Sequence, residues 1–134
     1  LSAPSGATGS RFVLDNRITS ADGWTLVMND GTMTMTAEGT AVVAASASFT
    51  RNGLFKNLAA TVSASGGIVL YIDGAVVATN TTAVGVPVVS PEQSVYVGSE
   101  SGTSAFWLGQ MSDLRFYNRT LSAAEVGLIS AGFG

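Results

Sequence analysis

Neither cysteine nor histidine occurs anywhere in the 134 residues. Without cysteine there are no disulfides and no thiolate metal sites. The two absences together exclude a Ser-His-Asp triad, a cysteine nucleophile with an imidazole base, and histidine-ligated zinc. Charge is also scarce, at 11% of residues, against roughly a quarter in soluble domains. Lys56 is the only lysine. A net charge of −3 and a pI near 4.6 leave no basic field to neutralise phosphates, so nucleic acid is not an expected partner. Polar residues, turns or prolines interrupt every apolar run before it is long enough to span a bilayer, and membrane insertion is not expected either. The acids are scattered along the chain, mostly at turns, whereas glycoside hydrolysis needs two carboxylates on one face, one held protonated while the other attacks or activates water. No catalytic residue is expected, and the chain reads as not an enzyme.

What is present is material for strands. Ala, Ser, Thr, Val and Gly dominate, 46% of residues are hydrophobic, and the length suits one domain with a real core. Turn signals recur at roughly the eight-to-twelve-residue spacing of an all-β sandwich or barrel. Residues 1–10, LSAPSGATGS, read as a flexible N-terminal arm or the end of a linker, and residues 11–134 as the domain. The chain opens at Leu1 and not at a methionine, as a processed product or a piece of a larger protein would.

Strands are predicted over residues 11–14, 24–28, 32–36, 41–49, 57–64, 68–72, 76–80, 84–89 and 95–98. Thr32 to Thr36 alternates strictly, which puts Met33 and Met35 on one face and the threonines on the other. Asp73-Gly74 is a two-residue hairpin signal. From Ala105 to Phe116 the apolar residues change parity after Met111, so a strand there needs a β-bulge near Ser112 or Asp113. Ser122, three residues before Glu125 and flanked by Leu121 and Val126, predicts a capped helical turn.

The order of elements across residues 94–129 resembles the C-terminal signature of laminin G-like domains in the concanavalin A-like jelly-roll group, F-x-G-x-I-D-x-V-R-I-Y-N-R-x-L-S-x-x-E-I. It stands here as WLGQMSDLRFYNRTLSAAEV, from Trp107 to Val126. A second piece, Tyr71-Ile72-Asp73-Gly74, looks like the hairpin of the same family, and the resemblance covers about residues 54–130. Ser112 replaces the family's usual Asp, and Phe55 stands where a core Trp often opens the central strand. The resemblance implies an all-β fold, an antiparallel two-sheet jelly-roll sandwich with one short C-terminal helical turn. The E-x-D-x-E triplet of jelly-roll glucanases is absent.

Family-style recognition would be sugar stacking or calcium. Trp24, Tyr71, Trp107, Phe116 and Tyr117 are expected in the core. Tyr96 and Phe106, on the opposite parity from their apolar neighbours, are the candidate ligand platform, with Arg51 and Asn52 as polar contacts at a loop rim. Asp30, Asp73, Glu100 and Asp113 are the candidate calcium ligands, and no other cofactor is expected. The resulting expectation is a non-catalytic module on a virion surface or in an extracellular setting. It would bind glycans or cell-surface polysaccharide and act as a homo-oligomer among other virion or extracellular subunits, as in a bacteriophage capsid decoration. The alternative is a purely structural cement protein that joins neighbouring subunits without a ligand. An accessory domain of a glycoside hydrolase is the remaining reading.

Overall fold

The computed structural model describes residues 1–17, 22–85 and 94–132. Its strands are β1 (Ser10–Asp15), β2 (Gly23–Asn29), β3 (Thr32–Glu38), β4 (Val42–Ser48), β5 (Leu58–Ser63), β6 (Gly67–Ile72), β7 (Ala75–Asn80) and β8 (Tyr96–Val97), followed by the helix α1 (Ala123–Ser130). They form two antiparallel sheets, ordered β4-β3-β2-β1-β8 and β5-β6-β7. Turn chemistry sets the register. Asp30-Gly31 joins β2 to β3 and Asp73-Gly74 joins β6 to β7, with all four residues at positive φ, the geometry whose twist matches that of the flanking strands.

Period-two patterning then decides which face is buried. Met33, Met35 and Ala37 of β3 turn inward, while Thr34 faces out and shares a 2.8 Å hydrogen bond with Ser46 of β4. A side chain such as Met33, with no exposed surface, contributes roughly 1.5–3 kcal/mol on burial. The two sheets meet where β3 and β4 pack on β6 and β7, around Met28, Met33, Val43, Ile68 and Leu70. At the other side of the sandwich β5 makes no comparable contact with β1 or β2, and the layers stand apart.

Several expectations need correction. Residues 1–10 are not a free arm: Ala3 and Ala7 are fully buried, and residues 1–3 bond to loops on both sides. Small side chains fit a crowded site as readily as they fit a linker. Residues 105–116 do not form a bulged strand. Gln110 pairs with Ser2 in an isolated bridge, and Ala105, Gly109 and Asp113 at positive φ break the extended path. As a result Trp107 and Met111 reach the core, whereas Leu114 and Phe116, expected there, are exposed. Phe55, expected as a core substitution, is exposed as well. In the 84–89 segment, Val84 is buried without being in a strand, and residues 86–89 lie outside the described residues.

The helix begins as its sequence predicts. Ser122 Oγ accepts the Glu125 N–H at 3.2 Å, Glu125 Oε2 accepts the Ser122 N–H at 2.8 Å, and Val126 is buried. The bidentate Arg119 guanidinium, followed by the Ser122 backbone, pulls the Glu125 carboxyl down to about 2. Because the folded-state value lies below the ordinary glutamate range, the cap's contribution is complete above about pH 4.3 and is lost as pH falls toward 2. An NMR titration should show the Ser122 and Glu125 amide shifts moving together, with a midpoint near 2. A midpoint at the ordinary glutamate value would remove the Arg119 contact.

Candidate functional site: a cleft between the sheets

The gap on the β1/β2 side is a cleft of about 1490 Å³. Its floor is apolar, formed by Val13 and Leu14 of β1, Trp24 and Leu26 of β2, and Met35 of β3. One wall is β5 and the other is the irregular segment 111–121, with α1 at one end. These walls put three aromatic side chains at the surface: Phe55 is 54% exposed, Phe116 58% and Tyr117 47%. The Phe116 ring also meets Trp24, centroids 5.9 Å apart and tilted by 47°.

Charges around the cleft are matched locally. Lys56 Nζ lies 3.7 Å from Asp73 Oδ2, Arg115 holds both oxygens of Asp113 at 2.8 Å, and Arg119 holds Glu125. The Arg115 contact lowers the Asp113 carboxyl and, reciprocally, raises the guanidinium. The side-chain charges are neutralised in pairs. Backbone groups on β5 and exposed apolar rings are what the cleft offers a partner.

At TM-score 0.51, the fold is similar to a crystal structure of an S-layer domain-containing protein from Clostridium thermocellum, with 20% identity over 93% of this chain. That likeness shows fold alone, and this chain spans 64% of the length of that one. The laminin G family of the concanavalin A-like lectin/glucanases superfamily matches residues 3–127. The chain belongs to that family. The two-sheet antiparallel sandwich and the short C-terminal helix are those of a concanavalin A-like fold. No curated protein matches the chain.

The residues singled out from sequence occupy separate places in this laminin G-type sandwich. Phe106 is exposed as expected, but Tyr96 is half-buried while Val95 and Val97 are exposed, the reverse of the expected parity. Because β8 is only two residues long, alternation along it was a weak guide. Arg51 donates to Ala7 O and Asn52 accepts the Leu54 N–H, so both serve local loop structure.

Of the acids, Asp30 accepts the Gly9 N–H, Asp73 accepts the Asn57 N–H, Glu100 is 3.4 Å from Arg17 Nη2, and Asp113 holds Arg115. Among the described residues no three acidic side chains gather around one point, so these four do not form a joint cation site.

Sequence reasoning missed Asp15. Fully buried, it accepts the Arg17 backbone N–H, Arg17 Nε and the Ser101 N–H at 3.0–3.1 Å. An aspartate followed at once by Asn16 and Arg17, at the end of an apolar strand, was the available signal. It also missed the aromatic rim, because Phe116 and Tyr117 read as core from the sheet signature and Phe55 from its place at the family's Trp position.

Proposed function

We propose that this is a non-catalytic module of an extracellular or particle surface whose cleft receives part of a neighbouring polypeptide and joins the two. The observation that carries the reading is the cleft itself, a gap between two sheets above a buried apolar floor, with exposed aromatic side chains on its rim and its side-chain charges paired. Large exposed apolar patches on a soluble domain mark interaction sites. Aromatic side chains with one free face are the usual anchors of protein interfaces. A structural neighbour that is an S-layer domain-containing protein fits a surface setting.

Glycan recognition is the competing reading, because Phe55, Phe116 and Tyr117 also present faces on which sugar rings stack. It ranks second because a sugar needs several convergent polar side chains, and the charged ones around the cleft already hold one another.

The test compares two probes, an acetyl-Thr-Val-Thr-Val-Thr-Lys-amide peptide and a glycan array with and without calcium. Peptide binding is expected, weakened at least tenfold by Phe116→Ser and Phe55→Ser. Both residues are exposed, so the melting temperature should hold. Array binding that the same substitutions abolish, with no peptide bound, makes the ligand a saccharide and overturns the reading. Binding of neither probe overturns it too.

A further inference from the structure

Asn52 is the only asparagine of the chain that is followed by glycine. That order permits a reaction within the chain, because a glycine nitrogen has no side chain beside it to hinder attack on the preceding carboxamide. Asn52, Gly53 and Leu54 are exposed and Gly53 stands at φ 75. Among the described residues nothing lies within 4 Å of where a Gly53 Cβ would be, so a ring has room to form there.

Hydrogen bonds act on this dipeptide in opposite senses. Asn52 Oδ1 accepts the Leu54 N–H at 3.2 Å, a local turn of the kind asparagine side chains make. The loop of atoms it closes contains both reacting centres, Asn52 Cγ and the Gly53 nitrogen, and folds the carboxamide back over the main chain. The donor also sits on the oxygen where negative charge collects when a nucleophile adds to Cγ, as an oxyanion-stabilising N–H must. The opposing bond is a restraint. Gly53 N donates to Ala3 O at 2.9 Å, and a nitrogen whose proton is held there is a poor nucleophile. Ala3 is fully buried and its neighbours are fastened on both sides. Leu1 O accepts the Lys56 N–H at 2.8 Å, and Ser2 exchanges two bonds with Gln110, at 2.9 and 3.3 Å.

We propose that Asn52-Gly53 is a self-modification site, primed by Leu54 and held back by the docking of residues 1–3. When those residues part from the loop, the Gly53 nitrogen gives its proton to solvent hydroxide and bonds to Asn52 Cγ. The carboxamide C–N bond breaks, its nitrogen takes a proton from water and leaves as ammonia, and a succinimide remains. Water then opens the ring at either carbonyl, giving aspartate or isoaspartate at position 52. The sequence of steps is hydrolytic throughout and consumes only water. Either product carries a new negative charge, and isoaspartate lengthens the main chain by one carbon just before Gly53, which draws its N–H away from Ala3 O. The change runs one way and so records the time residues 1–3 have spent undocked. Its effect reaches the cleft, since those residues tie Lys56 to Gln110 and both Leu1 and Lys56 line the cleft.

Ageing the intact protein in mildly alkaline buffer, followed by peptide mass spectrometry and isoaspartate detection, tests this against a free peptide of residues 50–56. Asn52 should convert more slowly than the peptide, and the other asparagines not measurably. Ala3→Leu overfills a fully buried site. It should speed Asn52 at least tenfold over the parent and past the peptide. Adding Leu54→Pro, at a residue 64% exposed, removes the donor on Oδ1 and should slow conversion about tenfold again. Should a variant fail to fold, low urea concentrations on the wild-type protein decide: conversion should rise in proportion to exchange of the Gly53 amide proton.

Wild-type conversion as fast as the peptide's, unmoved by Ala3→Leu, or out of step with Gly53 exchange overturns the restraint by residues 1–3. An Ala3→Leu protein no faster than the peptide and indifferent to Leu54→Pro overturns the priming. No conversion of Asn52 in any form of the protein, while the peptide converts, overturns the site itself.

Discussion

Gly67→Ala should destabilise the protein by about 4 kcal/mol or more, lowering the melting temperature by roughly 15 °C. Gly67 opens β6 at φ 76, a region that L side chains rarely enter. A Cβ there would overlap Asn80 O and sit 2.9 Å from both Asn80 C and Thr82 O. These are backbone atoms of the adjoining β7 edge, so no side-chain rotation relieves the clash. The alternative is to separate β6 from β7, and with them Ile68 and Leu70 from the core.

Gly127→Ala is the control. It lies inside α1 with nothing within 4 Å of the added carbon, and replacing a helical glycine by alanine stabilises by roughly 0.5–1 kcal/mol. Thermal denaturation of the two variants should therefore move in opposite directions. A Gly67→Ala protein that melts within a few degrees of the parent would disprove the close approach.

Asp15→Ala is expected to cost about 3–5 kcal/mol, the range for breaking a buried ion pair from one side. The carboxylate is fully buried at the end of β1 and holds the Arg17 side chain, the Arg17 backbone and Ser101. Removing it leaves a partly buried guanidinium with the longer contact to Glu100 and the face of Phe12, and unties Ser101 from the end of β1. Asp113 gives the contrast. Its pair with Arg115 is shorter, at 2.8 Å, but exposed, and Asp113→Asn, which removes the charge and keeps a residue tolerant of the positive φ there, should leave stability unchanged within error. Urea denaturation of both variants measures the difference. Equal stability of the two would show that burial does not govern the strength of these pairs.

Much of the fold was legible because its signals are local. Asp30-Gly31 and Asp73-Gly74 name their turn type in two residues, TMTMT carries its own period, and Ser122 with Glu125 completes a cap within one helical turn. Segment 105–116 was misread because parity states which side chains could share a face, and says nothing about whether an edge lies within reach. Gln110 finds Ser2, more than a hundred residues away, and among the described residues the chain just beyond it pairs with no strand.

By itself the sequence determined the class of molecule. It is a low-charge all-β sandwich without imidazole or thiol chemistry, carrying a laminin G-type signature from Trp107 to Val126. Those properties are fixed by composition and by patterns spanning a few residues. Tertiary structure alone decided where the sandwich stays open and which aromatic side chains line the opening. Each of these depends on how the two sheets are set against one another and on residues 1–3 bridging Lys56 and Gln110. The free energy of such long-range pairing comes from the geometry of the whole fold, and no window of the sequence contains it.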